Sequence, residues 1–101
     1  MDPLPPAPDA VVLTPEAERD IADHVAYLDA RNPYAADDFH RTLSDEFDRL
    51  ATRVVDGQVV VLPNGGRCRR WLVHPMAIFY ERAPGTLYVL RVYHHARRPR
   101  R

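Results

Sequence analysis

The sequence predicts one α+β domain of order β-α-α-β-β-β, with an N-terminal helical hairpin packed on one face of an antiparallel sheet. Two residue pairs, Thr14-Pro15 and Asn32-Pro33, each combine a capping side chain with a proline at the first helical position. Each pair opens a run of helical periodicity. After Thr52 the pattern changes to strand-like runs broken by proline- and glycine-rich turns. A length of 101 residues suits a single domain.

Residues 1–9 hold Pro3, Pro5, Pro6 and Pro8 and are expected to form a disordered or extended tail, leaving residues 10–101 as the domain. Ala10 to Leu13 (AVVL) is short and β-branched and reads as a strand. In the first helix Ala17, Ile21, Val25 and Leu28 make one apolar stripe, and Glu16 complements the positive end of the helix dipole. Pro33 disfavours helical backbone at Asn32, so this helix should stop near Arg31. The second helix carries Ala36, Phe39, Leu43, Phe47 and Leu50 on one face. Asp37, Arg41, Asp45 and Arg49 lie on the other, spaced for i,i+4 pairs of about 0.2–0.5 kcal/mol each. Neither helix is stable without a surface to cover.

Val59 to Leu62 is a short apolar run, and Pro63-Asn64-Gly65-Gly66 is a turn. Three strands follow, from Arg67 to His74, Met76 to Arg82 and Leu87 to His94, separated by turns at His74-Pro75 and at Ala83 to Thr86. Tight turns between them make an antiparallel meander. Strict alternation on the last strand would put Tyr88, Leu90, Val92 and His94 on one face and Leu87, Val89, Arg91 and Tyr93 on the other. A strand apolar on both faces belongs at the centre of a sheet.

The formal net charge of zero conceals an asymmetry. Residues 1–66 carry 13 acidic groups and 5 arginines, whereas residues 67–101 carry 9 arginines and one acid, Glu81. Acidic helices beside a basic sheet would cancel part of this, and the remainder suits an anionic partner. All basic residues are arginine, which favours planar contacts to carboxylate or phosphate, although GC-rich coding produces the same bias. One cysteine, Cys68, supports neither an internal disulfide nor a zinc site, and a reducing cytoplasmic setting is expected. No apolar run is long enough to span a membrane, and the first ten residues do not resemble a secretion signal. Nucleotide-binding glycine loops and the serine-hydrolase elbow are missing, so no cofactor is expected.

Arg67, Arg69 and Arg70 cluster on one strand, and Arg97, Arg98, Arg100 and Arg101 cluster at the end of the chain. Both are candidate contacts for RNA or an acidic protein, or else solvated edge charges. Arg91 needs an acidic or carbonyl partner, for which Glu81 on the neighbouring strand is the candidate. His94-His95 offers acid–base chemistry, but adjacent strand residues point to opposite faces and cannot act as one dyad.

These segments together resemble the ParE/RelE toxin superfamily. VVLTPEAERDIADHVAYL is similar to the family's opening strand and first helix, and NPYAADDFHRTLSDEFDRL to its second helix. GGRCRRWLVHPMAIFYE is similar to its G-x-R turn and I-x-Y strand, and LYVLRVYHHARR to a terminal R-V-x-H-x-x-R signature formed by Arg91, Val92, His94 and Arg97. The resemblance implies a plasmid-stabilisation-type toxin held inactive by a cognate antitoxin. Arg67, Arg69, Arg70, Tyr80, Arg91, Arg97 and Arg98 are the candidate target- or antitoxin-binding residues. RelE-like members cut messenger RNA on the ribosome, and that reading would make Arg67, His94 and Arg97 catalytic. This chain has no lysine and carries His95 where the histidine-using members have tyrosine. It looks closer to the ParE branch, whose members inhibit DNA gyrase and are not themselves enzymes. A binding module without toxicity is the third reading.

Overall fold

The computed structural model describes residues 7–94. Arg97, Arg98, His95 and the remaining terminal arginines lie outside the described residues. The elements run β1 (Ala10–Leu13), α1 (Pro15–Asp29), α2 (Pro33–Ala51), β2 (Gln58–Val61), β3 (Arg67–Val73), β4 (Met76–Ala83) and β5 (Thr86–His94). The α+β class and the helical hairpin are as expected. The Val59 to Leu62 run adds a strand to the expected four, giving one sheet of order β1-β5-β4-β3-β2.

Both helix starts form as the caps require. The Thr14 hydroxyl accepts from the Ala17 N–H at 3.1 Å and the Asn32 side-chain oxygen from the Tyr34 N–H at 3.0 Å, with Pro15 and Pro33 following. The surface ion pairs differ from the expected spacing. Arg41 pairs with Asp38 and Arg49 with Glu46, both at i,i+3. Glu46 is drawn inward because the Trp71 indole N–H donates to its Oε1 at 2.9 Å, and Arg49 then supplies the countercharge at 3.1 Å.

The apolar stripes meet the sheet. Ala17, Phe39, Leu43 and Leu50 from the helices pack against Met76, Ile78 and Tyr80 of β4 and Leu87, Val89 and Val92 of β5. The helical hairpin lies mainly over β5 and β1. Asp9, within the stretch expected to be a tail, is buried, and its N–H donates to the Ala51 carbonyl at 3.0 Å.

Two departures from simple alternation shape β5. β1 pairs with it in parallel, from Ala10 opposite Thr86 to Leu13 opposite Val89, while every other pairing is antiparallel. Opposite β4 the register jumps. Phe79 faces Arg91 and Tyr80 faces Val89, leaving Leu90 as a bulge. The bulge resets the alternation, so Leu87, Val89 and Val92 all reach the core, against the expected division of Val89 from Val92.

Past Leu13, β5 has no strand on its outer side, and α1 takes over. The Thr14 N–H donates to the Val89 carbonyl at 3.0 Å and its hydroxyl to the Leu90 carbonyl at 2.8 Å. Asp20 accepts from the Val92 N–H at 3.0 Å and from both Nε and Nη2 of Arg91, at 2.8 and 3.0 Å. Arg91 therefore pairs with Asp20, not with Glu81. Glu81 lies opposite Tyr88, away from the bulge. We expect Asp20→Ala to lower unfolding free energy by about 1–2 kcal/mol, since it strands a strand-edge N–H and a half-exposed guanidinium. Chemical denaturation measures this.

Candidate functional site

The hairpin covers one half of its sheet face and leaves the other open. On β3, alternation turns Arg67, Arg69 and Trp71 to the helix side, because Arg69 lies opposite the buried Tyr80 and Trp71 opposite the buried Ile78. Arg70 lies opposite Phe79 and points to the other face. The expected Arg67–Arg69–Arg70 cluster is thus split between two surfaces. A groove of about 400 Å³ occupies the open half, lined by Val59, Arg67, Cys68, Arg69, Tyr80, Glu81 and Arg82.

A charge network floors this groove. Asp56 accepts hydrogen bonds from the Tyr80 hydroxyl and, at 3.0 Å, from the Gly57 N–H. Arg82 approaches it at 3.4 Å and Arg69 at 3.6 Å. Arg82 also reaches Asp9 at 3.2 Å and the Leu50 carbonyl at 2.9 Å, while Arg53 adds a second pair to Asp9 at 3.4 Å. Arg69 donates to the Gly57 carbonyl at 2.8 Å, and the Gly57 N–H donates to the Tyr80 oxygen at 2.6 Å. A Cβ on Gly57 would sit 2.3 Å from the Arg70 carbonyl oxygen, so only glycine lets the coil press onto β3. The cluster joins the N-terminal segment, the coil after α2, and β3 and β4.

These contacts set the protonation states. Burial works against ionisation of Asp56, but the Tyr80 hydrogen bond, the charges of Arg82 and Arg69 and the Gly57 N–H outweigh it and hold the carboxyl below its ordinary 3.8. Burial, then the hydrogen bond to Asp56, pushes the Tyr80 hydroxyl up. Burial, then the charge of Glu81, pushes the Cys68 thiol up, which disfavours the reactive thiolate.

The other expected site residues are dispersed. Tyr80 is fully buried, binds Asp56 through its hydroxyl and lines the groove. Arg91 is held by Asp20 and lies over the Tyr93 ring, 4.7 Å from its centroid. His94 stacks on His24, with ring centroids 4.2 Å apart, and lines a second cleft with Asp20, Asp23, His24, Arg91, Val92 and Tyr93. No residue lines both clefts. No local motif in the sequence marks Arg82, Asp9 or Asp56 as members of one site. The one available signal is that Asp56 is the only acid in the coil between α2 and β2. Among the described residues no group of three or more His, Cys, Asp and Glu side chains could hold a metal ion. No helix there is long and apolar enough to cross a membrane.

A depressed carboxyl pKa stabilises the fold above the unfolded value and loses that contribution as pH falls through the folded value. Asp56→Asn should therefore lower stability at pH 7, and its deficit against the parent should shrink as pH falls below about 4. Denaturant titrations across pH 3–7 measure this. The effect is modest because Asp56 is half exposed.

The fold has a solved counterpart. A chain described as the chromosomal ParDE toxin–antitoxin system from P. aeruginosa superposes with a TM-score of 0.68 over 85% of this chain and 95% of that one. The two are 13% identical, so the likeness is one of fold. No curated protein sequence matches the chain. The model of the ParE toxin of the type II toxin–antitoxin system parDE matches residues 11–99, from within β1 to beyond β5. The chain belongs to the ParE toxin family.

Proposed function

We propose that this toxin inhibits DNA gyrase and is neutralised by a cognate antitoxin that covers the arginine-lined half of the sheet. The observation that carries the choice over ribonuclease chemistry is the separation of Arg67 from His94. His94 lies opposite Met76 at one end of β4, and Arg67 lies two residues beyond the Arg69–Tyr80 pair, near Arg82 at the other. Six residues of strand put about 20 Å between these positions. One scissile phosphate cannot bridge that distance, because an acid–base group must come within about 3 Å of the atom it serves. A ring stacked on His24 beneath α1 is also turned away from the groove.

The open groove supports a protein partner. Arg67 forms no ion pair among the described residues, and Arg69 and Arg82 share Asp56. This surplus of positive charge suits an acidic, partly disordered segment that folds as it binds.

Two measurements test the reading. Purified toxin added to gyrase supercoiling and cleavage reactions should inhibit the first and accumulate cleaved DNA in the second, and translating ribosomes should leave a reporter message intact. Codon-linked message cleavage with gyrase unaffected would reject gyrase in favour of the ribosome. For the antitoxin, charge reversal at Arg67 or Arg69 should weaken binding about tenfold or more, while Arg70→Glu, on the opposite face, should change it less than twofold. Equal effects at all three positions would place the antitoxin elsewhere.

A further inference from the structure

β2 is an edge strand of four residues, paired only with β3. The Leu62 N–H donates to the Gly66 carbonyl at 2.7 Å and closes the β2–β3 hairpin. Antiparallel pairs alternate between positions that exchange backbone hydrogen bonds and positions that do not. Counting back from Leu62 opposite Gly66, Val60 opposite Cys68 turns its N–H and carbonyl toward β3. Val59 and Val61 turn theirs outward. Their side chains, 54% and 64% exposed, lie on the helix-side face beside Arg69 and Arg67, their register partners.

Natural edge strands are usually protected by shortness, charge, proline, a bulge or a covering element, and of these β2 has only its four-residue length. From Gln58 to Leu62 this one has no charged residue and no proline. The nearest acid, Asp56, is turned inward to Tyr80 and Arg82. Neither helix packs appreciably on β2.

We propose that the antitoxin adds an extended segment to this edge as a sixth strand. Its apolar residues would pack over Val59 and Val61, and carboxylates would reach Arg67 and Arg69. The source of the segment rests on the antitoxin reading above. Charge selects this occupant over a second copy of the chain, since edge-to-edge pairing of two copies would bring together two sets of Arg67 and Arg69. β-Strand addition draws affinity from main-chain hydrogen bonds and specificity from alternate side chains, and this edge supplies both.

The test uses the full chain, free and in complex with the antitoxin encoded beside it, with amide exchange followed by NMR. The Val59 and Val61 amides should slow at least about tenfold on binding, while the Val60 amide, already in the β2–β3 ladder, should change little. Val61→Pro removes an outward N–H and leaves the ladder intact, a placement that edge strands tolerate. It should weaken the complex about tenfold with an unchanged melting temperature. Val60→Pro breaks the ladder and shows what loss of the hairpin looks like. A complex in which Val59 and Val61 exchange as fast as in the free chain would overturn the proposal and leave the antitoxin reading standing. Failure of any complex to form would remove both. Concentration-dependent protection of these amides in the free chain would assign the edge to a second copy instead.

Discussion

The edge of β5 beyond Val89 is the constraint on which the rest of the fold depends. This strand pairs with β4 along its length but with β1 over only four residues. Its second half would present unpaired polar groups along one side, which a folded chain must satisfy. α1 does so with two side chains, Thr14 and Asp20, which bind the Leu90 carbonyl and the Val92 N–H. Thr14 also caps α1. One residue thus ends the pairing of β1, starts the helix and ties both to the bulge. The bulge in turn lets Val89 and Val92 share the core while Arg91 reaches Asp20 at the edge. The docking of the hairpin and the register of β5 are tied together through these few bonds.

A second set of contacts positions the open half of the sheet. The coil between α2 and β2 is fastened by Asp56 and Gly57 to Tyr80, Arg69 and Arg82. Because Tyr80 is fully buried, its hydroxyl serves as a polar post inside the core, and the coil closes over it. Asp9 completes the charge balance from the other end of the chain. The separation of acids and arginines along the sequence is resolved here and at Asp20, where N-terminal carboxylates meet C-terminal guanidinium groups. Such pairs are worth most where they also satisfy backbone groups, as Arg82 does at the Leu50 carbonyl.

The partition of the sheet follows from these constraints. The hairpin is committed to β5 and β1, so β3 and β2 extend beyond it with Arg67, Arg69, Val59 and Val61 on the uncovered face. A surface that joins surplus positive charge to exposed β-branched residues is suited to a protein segment more than to a small substrate. The dispersal of His94 from the arginines points the same way. At 13% identity to its solved counterpart, the chain keeps the architecture while most of its side chains differ.

The elements that rest on local chemistry are legible in the amino-acid sequence alone. The two caps, the two apolar stripes, the turns and the last three strands are written in neighbouring residues, and period and punctuation suffice to read them. Tertiary structure decided what depends on residues distant in the chain. Nothing local to Arg91 marks Asp20, 71 positions earlier, as its partner. No local pattern announces the Leu90 bulge, which overrules strict alternation on β5. Arg67, Arg69 and Arg70 read as one cluster until the pairing of β3 with β4 divides them between two faces. Asp56 and Arg82 gain meaning only when the coil closes on Tyr80. Local propensities are set by a few adjacent residues, whereas register, partner choice and the uncovered face are set by packing among segments that meet only in the folded chain.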